Sequence, residues 1–210
     1  EREKQKIQRD VIIGEKPYIN IEKIKAGITS LKYPIYHLDF ETFPCPVPRF
    51  KGEKPYSQSL FQFSIHIETE PLKCDKELNH TGFLANSHKD VREELINKML
   101  STIDINSEGT VLVYNQAFEK TRIKELGNIF PEYKDKLDKL NSMVFDLMYL
   151  IKTNNEFYQG LGFKESEAKL FNYYHKDLEG SFSIKKVLPI FTDLSYGDLE
   201  IGNGMEAMYT

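Results

Sequence analysis

Ile35-Tyr36-His37-Leu38-Asp39-Phe40-Glu41-Thr42 is the stretch on which the fold turns. The apolar run 35–38 reads as a buried β-strand, and Asp39 and Glu41 stand at its end. Residues at i and i+2 of a strand point to the same face. Two carboxylates therefore project together from a place where the backbone is held and water has access. Left alone they repel each other. A shared hard cation such as Mg²⁺ or Mn²⁺, which takes oxygen ligands, relieves that repulsion. The same residues also suit a plainer reading, in which Asp39 caps the next element and Glu41 faces solvent.

A second stretch, Val111-Leu112-Val113-Tyr114-Asn115-Gln116-Ala117-Phe118-Glu119, follows the same logic. A buried strand ends near Asn115 and a helix opens at about Phe118, with Glu119 in its first turn. A carboxylate there is favoured by the exposed N–H groups and the helix macrodipole, which is its plainer reading. Its functional reading requires Glu119 to face Asp39 and Glu41 across neighbouring strands. Ligands in open α/β sheets gather at strand ends.

The rest of the chain supplies the elements of a mixed α/β sheet covered by helices. Ile21, Ile24, Ile28 and Leu31 recur at helical spacing behind Asn20, a good N-cap, and predict a helix over 20–31. Phe43-Pro44-Cys45-Pro46-Val47-Pro48 reads as a loop. Phe61, Phe63, Ile65 and Ile67 alternate with polar residues and predict a half-buried strand. A weaker strand is expected over 77–84, and helices over 90–100, 118–126 and 131–140. Residues 145–151 read as an apolar strand or short helix, and 183–190 as a helix start capped by Ser183. The chain has neither internal repeats nor low-complexity segments.

With 210 residues, 40 % of them hydrophobic, the chain suits one substantial domain with appendages, or two small ones. We expect an N-terminal helical extension over 1–31 and one domain over 32–210. The net charge of -4 argues against a generic basic nucleic-acid coat. It is compatible with a nuclease, whose carboxylates sit at the site while bound cations and a local Lys/Arg rim meet the phosphates. No apolar run approaches the ~20 residues that span a bilayer. Cys45 and Cys74 lack metal-ligand spacing and suit a reduced, cytoplasmic setting. Glu1 in place of an initiator methionine suggests a segment of a longer protein with further domains.

Leu38 to Thr42 resembles the first motif of the DnaQ-like (DEDD) 3′–5′ exonucleases of the RNase H-like superfamily. Asn115 to Glu119 resembles their second motif, with Glu in place of its final Asp. More closely, the chain resembles an uncharacterised bacterial domain family within that superfamily. The resemblance rests on Tyr33–Thr42, Pro55–Gln58, Phe61–Ser64, Tyr114–Glu119, Asp146-Leu147 and Ser183–Pro189, in order, over about 33 to 208. It implies a five-stranded mixed sheet with Asp39 and Glu41 on the central first strand. It also implies hydrolysis of phosphodiesters at single-stranded DNA or RNA 3′ ends by two Mg²⁺ or Mn²⁺ ions about 4 Å apart. Asp39 would bridge the ions, Glu41 would bind the one holding the water, and Glu119 would complete the other shell through water. Thr42, Asn115 and Phe118, inside the matched motifs, are expected on the substrate side.

The family's third motif adds an Asp from a C-terminal helix. Here Gly204-Met205-Glu206-Ala207 matches the segment before it, and the sequence given then ends, so a weak or inert fragment is expected. Nothing in the context of Asp193 or Asp198 marks either as a substitute. Lys51, Lys54 and Tyr56, on the loop after the acidic pair, are candidates for gripping or stacking on a strand. Lys185 is a candidate phosphate contact, and Asp146 an acid behind the site. His37 reads as a packed or edge histidine and His66 as solvated; His80, His88 and His175 show no ligand spacing. Two rivals remain: a nuclease-derived module that binds nucleic acid or protein without cutting, and a metal-dependent phosphoesterase acting on nucleotides.

Overall fold

A computed structural model describes residues 2–75, 79–86 and 88–195. In chain order these form α1 (Glu3–Gly14), β1 (Tyr18–Ile19), α2 (Ile21–Thr29), β2 (Ile35–Pro44), β3 (Gln58–Glu68), β4 (His80–Leu84), α3 (Arg92–Thr102) and β5 (Thr110–Val113). There follow α4 (Ala117–Ile129), α5 (Lys134–Ser142), β6 (Val144–Asp146), α6 (Met148–Ile151), α7 (Asn155–Gly160), α8 (Glu165–Ala168), β7 (Tyr173–Tyr174) and α9 (Ile184–Phe191). The contacts divide the described residues into two compact units, one within Leu31–Phe145 and the other made of 2–30 with 146–195. The sequence reading drew a boundary at residue 31 and kept 32–210 together; the contacts add a division at 145/146.

The Leu31–Phe145 unit is built on a five-stranded mixed sheet in the order β4-β3-β2-β5-β6, with β2 in the middle. β2 runs antiparallel to β3 from Ile35↔Glu68 to Pro44↔Gln58, and β3 antiparallel to β4. β2 runs parallel to β5 over 35–37. Strand alternation explains which residues are inside. Tyr36, Leu38 and Phe40 of β2 join Phe63 and Ile65 of β3 and Val111 and Val113 of β5 in one apolar cluster. Leu95, Ile96 and Met99 of α3, Ile123 and Leu126 of α4, and Leu137 and Leu140 of α5 complete it. Each such side chain contributes about 1.5–3 kcal/mol on full burial.

Between Glu41 and Thr42 the β2–β3 register shifts, from Glu41↔Gln62 to Thr42↔Leu60, which leaves Phe61 as an extra residue on β3. Such a bulge bends the strand and re-aims neighbouring side chains. β2 also runs on to Pro44, beyond the expected loop start at Phe43. A proline at the last ladder position is tolerated because its missing N–H is not needed there. The strand expected over 77–84 is observed from His80, with 77 outside the described residues. The helix expected over 131–140 divides into a 3-10 turn, Pro131–Tyr133, and α5.

In the other unit, Asn20 caps α2 as expected, accepting from the Lys23 N–H at 3.1 Å. The buried face of α2 differs from the apolar stripe predicted. Lys23 and Gly27 are buried, whereas Ile21 and Ile28 are exposed. The reason is polar. The Lys23 ammonium donates to Thr153 Oγ1 and to the carbonyls of Glu167, Ala168 and Leu170, and lies 4.5 Å from the centre of the Tyr158 ring. Desolvation, aided by the charge of Lys4, lowers its pKa to about 8. A two-stranded β1–β7 ladder pairs Tyr18 with Tyr174.

Candidate site on the central strand

Alternation along β2 places His37, Asp39 and Glu41 on the face opposite the Tyr36-Leu38-Phe40 core. Asp39 stays accessible, and its carboxylate accepts from the Phe40 N–H. Surrounding protein nonetheless desolvates Asp39 enough to raise its pKa. Glu41 is half-buried, and its pKa is raised by desolvation and then by the negative charge of Asp39. The two acids therefore feel each other, as their spacing predicted.

Glu119 lies in the first turn of α4 and is 5 % exposed. It interacts with other groups of the chain, while its Oε2 accepts no hydrogen bond. Among the described residues no three His, Cys, Asp or Glu side chains gather into a group able to hold a metal ion. The expected meeting of Asp39, Glu41 and Glu119 is thus not formed as a cage. Strand alternation sets the first two on the open face, whereas the phase of α4 sets Glu119 on its buried side with Arg122, Ile123 and Leu126.

The remaining candidates are dispersed. Thr42 Oγ1 donates to Gln58 Oε1 at 2.7 Å. Asn115 adopts a left-handed conformation, φ 67°, and turns the chain from β5 into α4. Phe118 packs against the apolar cluster and under the Arg122 guanidinium, 5.3 Å from its ring centre. Lys51 and Lys54 are exposed, as is Tyr56. Lys54 lines a cavity of about 290 Å³ together with Gln58, Arg92, Arg122, Glu125 and Asn128.

Asp146, Ser183 and Lys185 belong to the other unit. Asp146 Oδ1 accepts from the Met148 N–H at 3.0 Å, which makes a local turn. The cap expected from the Ser183 hydroxyl is not made: Ser183 stands at the N-cap of α9 without a side-chain bond, and its carbonyl accepts from Lys186 and Val187 instead. Asp193 is exposed, whereas Asp198 and Gly204 to Ala207 lie outside the described residues.

The sequence reading missed two features. Buried Arg92 donates to Asp90 through Nε and Nη2, reaches the Lys51 carbonyl, and lies 3.7 Å from Glu53. Desolvation works to raise Glu53, but bonds from Ser59, Arg49 and Phe50 and the charge of Arg92 hold it below the usual carboxylate range. The second feature corrects the reading of His66 as merely solvated. His37 pairs with His66, and His66 with His80, across three adjacent strands. The His66 and His80 rings are 4.4 Å apart. Periodicity marks each of these strands, but only the cross-strand register aligns the histidines.

A profile described as "Domain of unknown function (DUF2779)" matches residues 36–183. The chain belongs to the DUF2779 family. The matched span of this DUF2779 chain contains Asp39, Glu41 and Glu119. It is 25 % identical over 192 residues to "Uncharacterized protein UU173" of Ureaplasma parvum serovar 3, covering 84 % of this chain and 25 % of that protein. It is 26 % identical over 208 residues to "Uncharacterized protein MG366" of Mycoplasma genitalium, covering 91 % of this chain and 28 % of that protein. The chain therefore spans about a quarter of the length of these curated relatives. No solved structure gives a significant match. Among the described residues no helix of this DUF2779 chain is long and apolar enough to cross a membrane.

Proposed function

We propose that the Leu31–Phe145 unit is an RNase H-like, DnaQ-like nuclease domain that hydrolyses phosphodiester bonds at nucleic-acid 3′ ends. The observation that carries the proposal is the carboxylate pair Asp39 and Glu41, side by side on the open face of the central strand, with both pKa values raised. The sheet order supports it, since the strand that bears the acids is the middle one of five, as the resemblance implies. The parallel neighbour β5 leads into α4 and Glu119.

The donor set fits a hard divalent cation. It consists of carboxylate oxygens, and the repulsion that Asp39 imposes on Glu41 is of the kind a shared cation relieves. Asp39 and Glu41 are the residues that would hold Mg²⁺ or Mn²⁺; Glu119 is not gathered with them. Such an ion, when bound, supplies Lewis acidity and a more acidic water. Glu41, on the same face as Asp39, would hold the ion that carries the attacking water. Asp39 stands on the middle strand of the five.

The test is hydrolysis of end-labelled single-stranded DNA and RNA with Mn²⁺, using a longer natural polypeptide that includes this chain. Cleavage that stops in Asp39→Ala is the expected result; activity that survives the substitution overturns the proposal. A free-nucleotide panel separates the nucleotide phosphoesterase reading. The absence of a three-acid group among the described residues favours a second reading, a nuclease-derived module that binds nucleic acid without cutting. Its signature is binding with no hydrolysis in the same assay.

A further inference from the structure

The segment 52–60, which leads into β3, and the second half of α4 enclose a cavity of about 290 Å³. Leu60 and Leu126 line it and also belong to the buried cluster, so the cavity lies on the core side of the sheet. Neither Asp39 nor Glu41 lines it. The close approach of the segment to the helix depends on Gly52, whose φ is +86°. A Cβ at Gly52 would stand 3.0 Å from Ile129, and glycine alone takes this backbone conformation without steric cost.

Part of the charge along the walls is already matched. Arg92 donates to both oxygens of Asp90 and lies 3.7 Å from Glu53. Glu53 Oε2 in turn accepts from the N–H groups of Arg49 and Phe50. Arg122 is different. Its side chain is 10 % exposed, its Nη2 donates to Glu125 Oε1 at 2.9 Å, and its buried Nε has no acceptor. A buried donor left unmatched carries a desolvation cost that a ligand oxygen relieves. Glu125 is 47 % exposed, so its hold on Arg122 is screened by water. Lys54 is exposed on the same cavity, and its ammonium makes no ion pair among the described residues. Gln58 uses its Oε1 on Thr42, and the hydroxyl of Ser57 and the amide of Asn128 add neutral donors.

We infer that this cavity is a binding site for a phosphate monoester, whose anionic oxygens engage Arg122 and Lys54 and whose organic part lies against Leu60, Leu126 and Ile129. The inference stands apart from the nuclease reading. A phosphate monoester carries about -1.5 to -2 charges at pH 7 and three strong acceptor oxygens, which suits two cations with neutral donors beside them. A carboxylate brings one charge and two oxygens. The volume is near the lower end of small-molecule pockets, ~300–1,000 Å³, and admits more than a bare phosphate. Glu53 does not oppose the anion, because Arg92 and two backbone N–H groups already hold its charge.

Isothermal titration calorimetry of the full chain in EDTA tests it, with uridine 5′-monophosphate, inorganic phosphate and uridine as separate titrants. The monophosphate is expected to bind, inorganic phosphate to bind more weakly, and uridine not to bind. Arg122→Gln is expected to weaken binding of the monophosphate on the order of tenfold or more, the effect of losing a charged hydrogen-bond donor. Lys54→Glu, at an exposed position, is expected to weaken it several-fold and serves if Arg122→Gln does not fold. Lys124→Glu, an exposed lysine of α4 outside the cavity, is expected to bind like the native chain. Absence of binding by the native chain overturns the inference. So does uridine or inorganic phosphate binding as tightly as the monophosphate, native-like binding by both Arg122→Gln and Lys54→Glu, or an equal loss in Lys124→Glu. Thermal melts establish which variants are folded. Because no divalent cation is present, the result is independent of whether Asp39 and Glu41 support hydrolysis.

Discussion

Asp39→Asn is expected to stabilise the folded chain at neutral pH, although it removes the residue on which the proposed chemistry depends. Asp39 and Glu41 occupy one face of an extended strand two residues apart, so their carboxylates stand about 7 Å from each other. Two unit charges at that distance repel by about 0.6 kcal/mol in bulk water and about 2.4 kcal/mol at an effective dielectric constant near 20. Asp39 is exposed and Glu41 half-buried, so solvent screening brings the figure to about 1 kcal/mol. For a chain of this size that corresponds to a rise in Tm of about 2–4 °C.

The pH dependence has a definite sign. Both carboxyl pKa values are raised on folding. Between the ordinary carboxylate range and the raised values, the folded chain binds more protons than the unfolded one. Stability therefore falls as pH rises through that window, and the loss persists at neutral pH. Urea unfolding at pH 7 and at about pH 4 measures it. The gain from Asp39→Asn is expected at pH 7 and is expected to shrink at the lower pH, as the raised carboxyls take up protons. In a double-mutant cycle with Glu41→Gln, the two gains are expected to fall short of additivity by about 1 kcal/mol, because either substitution removes the same repulsion. A destabilised Asp39→Asn chain, a gain undiminished at low pH, or strict additivity would refute the reasoning.

Other outcomes are open to the same methods. Mn²⁺ at a hundred times its dissociation constant is expected to raise the stability of the native chain by about 2.7 kcal/mol and to leave Asp39→Ala unmoved, as melting curves would show. Lys23→Met is expected to destabilise by about 1–3 kcal/mol, since it takes away the donor that serves the Glu167 and Leu170 carbonyls. Because the Lys23 pKa falls to about 8 on folding, the unfolded chain binds the extra proton between about pH 8 and 10.5. The advantage of the native chain over Lys23→Met is therefore expected to grow across that interval. Ile65→Ala, at a position fully buried under α3, is expected to cost about 2–5 kcal/mol in chemical denaturation. Gly109→Val is expected to loosen the β2–β5 pairing, because a side chain there meets the Pro34 carbonyl at 2.6 Å; amide exchange at Val111 and Leu112 reports it.

The alternation of Tyr36, Leu38 and Phe40 with His37, Asp39 and Glu41 was enough to write down a buried strand with two acids on its open face. The periods at 61–67 and 90–100 were enough for the half-buried strand and for α3. These readings succeed because a period of two or of 3.6 is a local property, set by backbone geometry alone. The helix at 20–31 was equally legible in its existence and its Asn20 cap, but not in its orientation. Its buried side is set by Lys23, whose acceptors lie about 130 to 147 residues away in sequence.

What the order of residues determined by itself is the set of elements, the pairing of Asp39 with Glu41, and the placement of Glu119 in the opening turn of a helix. What only the tertiary structure decided is which side chains share a surface. The cross-strand register aligns His37, His66 and His80, and the packing phase of α4 sets Glu119 on its buried side. Both depend on contacts between segments far apart in the chain, and local periodicity carries no information about those contacts.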